Sequence, residues 1–146
     1  MRNPLLFILC LLGMGSLRAQ EIRDWPLHST IVYDTCYQKL GEVNVDSFPD
    51  VAVKPLNLIQ FYRELSSSDG FQLMREAGVI TCRASIEILV GKDSNIVCYR
   101  LRSKCYPIYD VEIIQHIPDL TFAPAKKGTQ PVNSWVHIPI HYIGCF

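Results

Sequence analysis

Cysteine is the residue type with the most chemistry to offer in this chain, at six of 146 residues. Cys10 lies in an apolar N-terminal run, and Cys36, Cys82, Cys98, Cys105 and Cys145 follow it. In an oxidising compartment such thiols are expected to form disulfides. Five is an odd number, so two internal bridges leave one cysteine over. That cysteine either links two chains or stays as a buried thiol. Histidine comes next. His137 and His141 form an H-x3-H pair, which on a helix signals zinc. Here Pro139 separates them in a strand-like setting. Four strand residues cover about 13 Å, whereas zinc holds imidazole nitrogens at about 2 Å. The pair therefore predicts two exposed strand residues and no metal site. His28 and His116 sit in no motif, and the chain has neither G-x-S-x-G nor H-E-x-x-H. No catalytic residue and no cofactor is assigned, and the chain reads as a non-enzyme.

Cations and aromatics supply the remaining candidates. Arg100, Arg102 and Lys104 alternate with Leu101 and Ser103, so on a strand they share one face. With Lys126 and Lys127 they form a candidate patch for an acidic receptor surface or a sulfated glycan. A solvated strand face that blocks edge pairing is the plainer alternative. Phe122 stands among prolines and is a candidate contact residue. Trp135, Tyr106 and Tyr109 could form a partner-binding cluster or pack in the core.

These residues need elements to hold them. Residues 1–19 read as a secretory signal: Arg2, then apolar Leu5–Leu12, then small residues up to Ala19. The run is shorter than the ~20 residues of a membrane span. The predicted location is secreted and extracellular. Residues 20–30 are polar and carry Pro26, as in a flexible arm. Residues 31–146 form one domain. Within it, Ile31–Tyr33 and the alternation at Val43 and Val45 suggest short strands. Pro55 opens a helical pattern through Leu56, Ile59, Phe61, Tyr62 and Leu65, ended by Ser66–Gly70. A second short helix is predicted from Phe71 to Ala77, with Asp69 as cap and Gly78 as stop.

Beyond Val79 the period becomes two. Val79–Val90 and Ile96–Leu101 predict a hairpin around Gly91–Asn95. Residues 109–117 (YDVEIIQHI) predict another strand, and 118–132 a long loop. Ser134–Ile143 predicts a last strand with Val136, Ile138, Ile140 and Tyr142 on one face. The fold class is mainly β: a small disulfide-stapled domain of elongated antiparallel hairpins, with one or two short helices between Cys36 and Cys82.

Apolar residues make up 49% of the chain and charged residues 19%, which excludes wholesale disorder. Cleaving the signal removes Arg2 and Arg18 from the 14 basic residues against 14 acidic ones, for a net charge of −2. That excludes nucleic-acid binding by bulk electrostatics. There is no Asn-x-Ser/Thr sequon.

The run CYRLRSKCYP, Cys98–Pro107, is the most specific motif. A strand-like VEIIQHIP, a long loop and a last strand ending at Cys145 follow it. This frame resembles the latter half of the platelet-derived and vascular endothelial growth factor domain, among the cystine-knot cytokines. Cys36 followed by VDSFPD, residues 45–50, resembles that domain's first segment. The ending WVHIPIHYIGCF is also similar to the neurotrophin and Spätzle-like cytokines. Residues 94–98 read SNIVC where the growth-factor family carries C-x-G-x-C. The resemblance implies a cystine-knot-like hairpin frame with Cys36 bridged to Cys105. It pairs Cys145 with Cys98 or with Cys82, and Cys82 is the candidate for the free or interchain cysteine. It further implies a growth-factor or cytokine-like ligand, acting as a homodimer on a cell-surface receptor through the loops 91–95 and 119–133. A secreted monomeric carrier for a small apolar ligand is the alternative.

Overall fold

The computed structural model describes residues 31–144. The expected signal peptide, the flexible arm and Cys145 lie outside those residues. The domain is small, mainly β and stapled by two disulfides, with helices where the sequence placed them between Cys36 and Cys82. Two intramolecular disulfides are compatible with an extracellular location. Among the described residues no helix is long and apolar enough to cross a membrane.

The central element is an antiparallel sheet. Strand β1 is Lys54–Pro55, β2 is Thr81–Val90, β3 is Ile96–Ser103 and β7 is Ser134–Ile143. The short strands β4 (Phe122–Ala123), β5 (Ala125–Lys127) and β6 (Gln130–Val132) lie between β3 and β7. The main sheet has the order β3-β2-β7. β2 and β7 pair over their full length, from Thr81 opposite Ile143 to Val90 opposite Ser134. Alternation then sets the faces. Ile86 stands opposite Ile138, and Ala84 opposite Ile140, and all four are buried. Each fully buried isoleucine contributes roughly 1.5–3 kcal/mol.

Three helices cover this face. Helix α1 is Leu58–Ser67, α2 is Asp69–Glu76 and α3 is Pro107–His116. Phe61 and Leu65 of α1, Met74 of α2 and Ile113 of α3 join the sheet residues in one core. α1 begins three residues beyond Pro55, which lies in β1 paired to β4. The Asn57 side chain leaves the helix end uncapped and ties the 119–121 turn instead. It donates to Asp119 O at 2.8 Å and accepts from Thr121 N–H at 2.9 Å. α2 is capped by Ser68 rather than Asp69: the Ser68 hydroxyl accepts from Phe71 N–H at 3.2 Å. Gly78, at φ 77°, stops it as the sequence predicts.

The predicted strand at 109–117 is instead α3. Pro107 starts it at the first helical position. Tyr109, Ile113 and Ile117 recur every four residues and are all buried. A short apolar run satisfies either period, and contact with α1 and α2 selects the helical one. So the second long hairpin does not form, and β7 crosses back to pair with β2. The predicted loop 118–132 holds a 3-10 turn, Ile117–Asp119, followed by β4 and the β5–β6 hairpin. The predicted turn at 91–95 is present: Gly91 N–H donates to Asn95 O at 2.8 Å.

The opposite face of the sheet carries a smaller cluster of Cys36, Leu89 and Cys98, with Val43, Val45 and Trp135 packed on it. Val43 and Val45 are in no strand. Asp34 makes a single bridge to Arg100 on β3. Thr35 N–H donates to Tyr99 O and Leu101 N–H to Tyr33 O, so residues 33–35 cover the outer edge of β3.

The disulfide pairing differs from the one the growth-factor resemblance implies. Cys36 is bonded to Cys98, and Cys82 to Cys105. Cys82 is therefore neither free nor interchain. Residues 33–35 lie alongside β3 and bring Cys36 against Cys98. Cys82, near the start of β2, faces the chain leaving β3 at Cys105.

Candidate functional site

The two outer edges of the sheet are treated differently. β3 is covered by residues 33–35, while β7 is the terminal strand on the other side. Pro139 sits in the middle of β7 opposite Ser85. Proline has no N–H, so this pair is one that exchanges no ladder bonds, and the Pro139 carbonyl points away from β2. Every second residue of β7 then does the same. The main-chain groups of Trp135, His137, His141 and Ile143 face outward. Beyond the start of the strand, Asn133 follows this parity, and its carbonyl accepts from Asp46 N–H at 2.8 Å. The segment around Asp46 thus closes one end of the edge.

At the middle, Tyr62 of α1 reaches across and its hydroxyl donates to Pro139 O at 2.7 Å. A groove of about 320 Å³ runs here between α1 and β7. Tyr62, Leu65 and Ser66 form one wall, Pro139, Ile140 and His141 the other, and Tyr109 of α3 also lines it. Ile59 shares a helix face with Tyr62 and Ser66 and is 77% exposed. Burial raises the pKa of Tyr62. Tyr109 is pushed up to about 12, first by burial and then by Tyr142 and Glu112. Both phenols stay neutral near pH 7 and keep their donor protons. The site is an apolar slot beside a strand edge, with neutral hydroxyl donors.

His137 and His141 are both exposed on β7, on the strand face opposite Ile138 and Ile140. Four of the five cationic candidates, Arg100, Arg102, Lys104 and Lys127, have their charged groups engaged within the chain. Arg100 pairs with Asp34 at 3.3 Å, and its guanidinium lies over the Trp135 ring at 5.0 Å. Arg102 pairs with Glu87 at 2.8 Å. Lys104 lies just past β3, with its ammonium 4.1 Å from the Tyr33 ring centroid. Lys126 is bridged through its backbone to Val51, and Lys127 Nζ donates to Phe48 O at 2.7 Å. The two groups attach to different segments, 33–34 and 48–51. Phe122 is 4% exposed and belongs to the main core. Pairing of β4 with β1 turns its ring inward, so it offers no surface contact. Tyr109 packs with Phe71 and Tyr142, while Trp135 lies on the other face of the sheet.

Tyr62 and Pro139 carry no functional reading in the sequence, and Tyr109 carries one only as part of a cluster with Trp135 and Tyr106. Pro139 had a legible signal, because a proline inside an alternating strand marks a sheet edge. No family model, curated protein or solved structure matches the chain.

Proposed function

We propose that this protein acts by binding another polypeptide along the outer edge of β7, as a non-catalytic recognition domain of an oxidising compartment. The observation that carries this reading is the edge strand β7, whose main-chain groups at Trp135, His137, His141 and Ile143 face outward, flanked by the Tyr62–Tyr109 groove. An extended partner segment added there gains main-chain hydrogen bonds, and its alternate side chains meet the apolar groove. The secreted signalling ligand implied by the CYRLRSKCYP resemblance is the finer form of this reading, its partner being a receptor ectodomain or a second copy of the chain. The groove also suits the alternative reading, a carrier for a small apolar ligand.

The test is a displayed library of extended peptides panned against the immobilised protein. Selected peptides should slow amide exchange at His137 and His141. His137→Pro removes one outward donor and leaves the β2–β7 ladder intact, so it should weaken selected peptides at least ten-fold. Equal binding by His137→Pro would remove the edge from the reading. Binding of a fluorescent apolar probe displaced by Tyr62→Trp, without peptide selection, would favour the carrier.

A further inference from the structure

The two disulfides differ in exposure. Cys36 is 0% exposed and Cys98 is 2% exposed, sealed beneath Leu89 and Trp135. Cys82 and Cys105 are both half-buried, packed at the rim of the main core. Cys105 stands between the end of β3 and the first turn of α3. Its N–H donates to Asp110 Oδ1 at 2.9 Å, and Tyr33 OH donates to Asp110 Oδ2 at 3.4 Å. Asp110 itself is 1% exposed and built into α3. The chain at Cys105 is therefore held by a second anchor that does not involve sulfur.

We propose that Cys82–Cys105 is a thiol-exchange site for a protein dithiol, while Cys36–Cys98 is closed to exchange. A thiolate of the dithiol partner attacks Cys82 Sγ. The Cys82–Cys105 bond breaks, and its electron pair leaves on Cys105 Sγ, which takes a proton from water. The partner's second thiolate then attacks its own sulfur in the mixed disulfide and releases Cys82, which is protonated in turn. The pair gains two electrons and two protons, and the partner is oxidised to its disulfide. Cys105 is the better leaving group of the two. It precedes the N-terminal turn of α3 by two residues, which favours a thiolate. The anchor through Asp110 and Tyr33 keeps β3 and α3 in place when the bridge opens.

The test needs no variant of this chain. The folded protein is exposed to limiting dithiothreitol, quenched with iodoacetamide, and its alkylated cysteines are mapped by peptide mass. Cys82 and Cys105 should be alkylated at least ten-fold faster than Cys36 and Cys98, with the far-ultraviolet circular dichroism unchanged. A C-x-x-C protein dithiol whose second cysteine is replaced by serine should be trapped as a mixed disulfide on Cys82. Equal rates at the two bridges, reduction that appears only with loss of circular dichroism, or trapping on Cys36 or Cys98 would overturn the proposal.

Discussion

Cys36–Cys98 and Cys82–Cys105 hold two different kinds of region. The first closes a sequence separation of 62 residues and fastens residues 31–46 to the outer face of the sheet. The second closes 23 residues that already fold locally as the β2–β3 hairpin. Chain entropy alone values the two at about 4 and about 3 kcal/mol. Surroundings widen the difference. The longer bridge is fully buried in an apolar cluster, and the shorter one is half-buried at the rim of the main core, beside a hydrogen-bonded carboxylate that does part of the same work. One bridge fastens a segment whose other apolar anchors, Tyr33, Leu40, Val43 and Val45, are only partly buried. The other reinforces a junction that strand pairing and Asp110 also hold.

Substitutions at each bridge test this contrast. The largest effect is expected from replacing Cys36 and Cys98 together by alanine. It should cost about 4–5 kcal/mol in urea unfolding and expose the amides of residues 33–40 to exchange. Replacing Cys82 and Cys105 together by alanine should cost about 3 kcal/mol and leave exchange in α3 slow. If the second pair proved the more damaging, the contrast would be reversed. A smaller loss, about 1 kcal/mol, is expected for Tyr62→Phe, which removes the hydrogen bond to Pro139 O and leaves the ring in place. The same variant should leave reduction of both bridges unchanged.

The smallest effect concerns pH. Burial raises the folded-state pKa of Asp110 above its ordinary value of 3.8. The folded protein then holds this proton more tightly than the unfolded chain. The resulting contribution is fully present below the unfolded pKa and is lost as pH rises through the folded one. Asp110→Asn should flatten that part of the stability curve between acid and neutral pH. Chemical denaturation at a series of pH values measures it, and an unchanged slope would remove Asp110 from this account.

Local features were legible where one signal had no competitor. The α1 face through Phe61 and Leu65, the Gly78 stop, the Gly91–Asn95 turn and the buried face of β7 all follow from spacing and turn chemistry. Residues 107–116 were not legible in the same way. Their apolar run fits an alternating strand through Val111 and Ile113, and equally a helix face through Tyr109 and Ile113. Phe122 misled for a related reason: prolines nearby suggest an exposed loop, but β4 pairs with β1 and buries the ring. The groove combined Tyr62, Tyr109 and Pro139 from three distant elements, and no spacing in the chain connects them.

The disulfide-rich, mainly β character, the two helices before Val79 and the hairpin that follows are all written in the local sequence. Each depends on residues within a few positions of one another. The tertiary structure alone decided which cysteines pair, whether residues 107–116 coil or extend, and which strand lies beside β2. Those outcomes depend on which apolar faces meet. Leu89 and Trp135 close over Cys36 and Cys98, and the helices cover the face of Ile86 and Ile138. Burial free energy is summed over contacts far apart in the chain, so a short run with two acceptable periods takes the one that its distant neighbours bury.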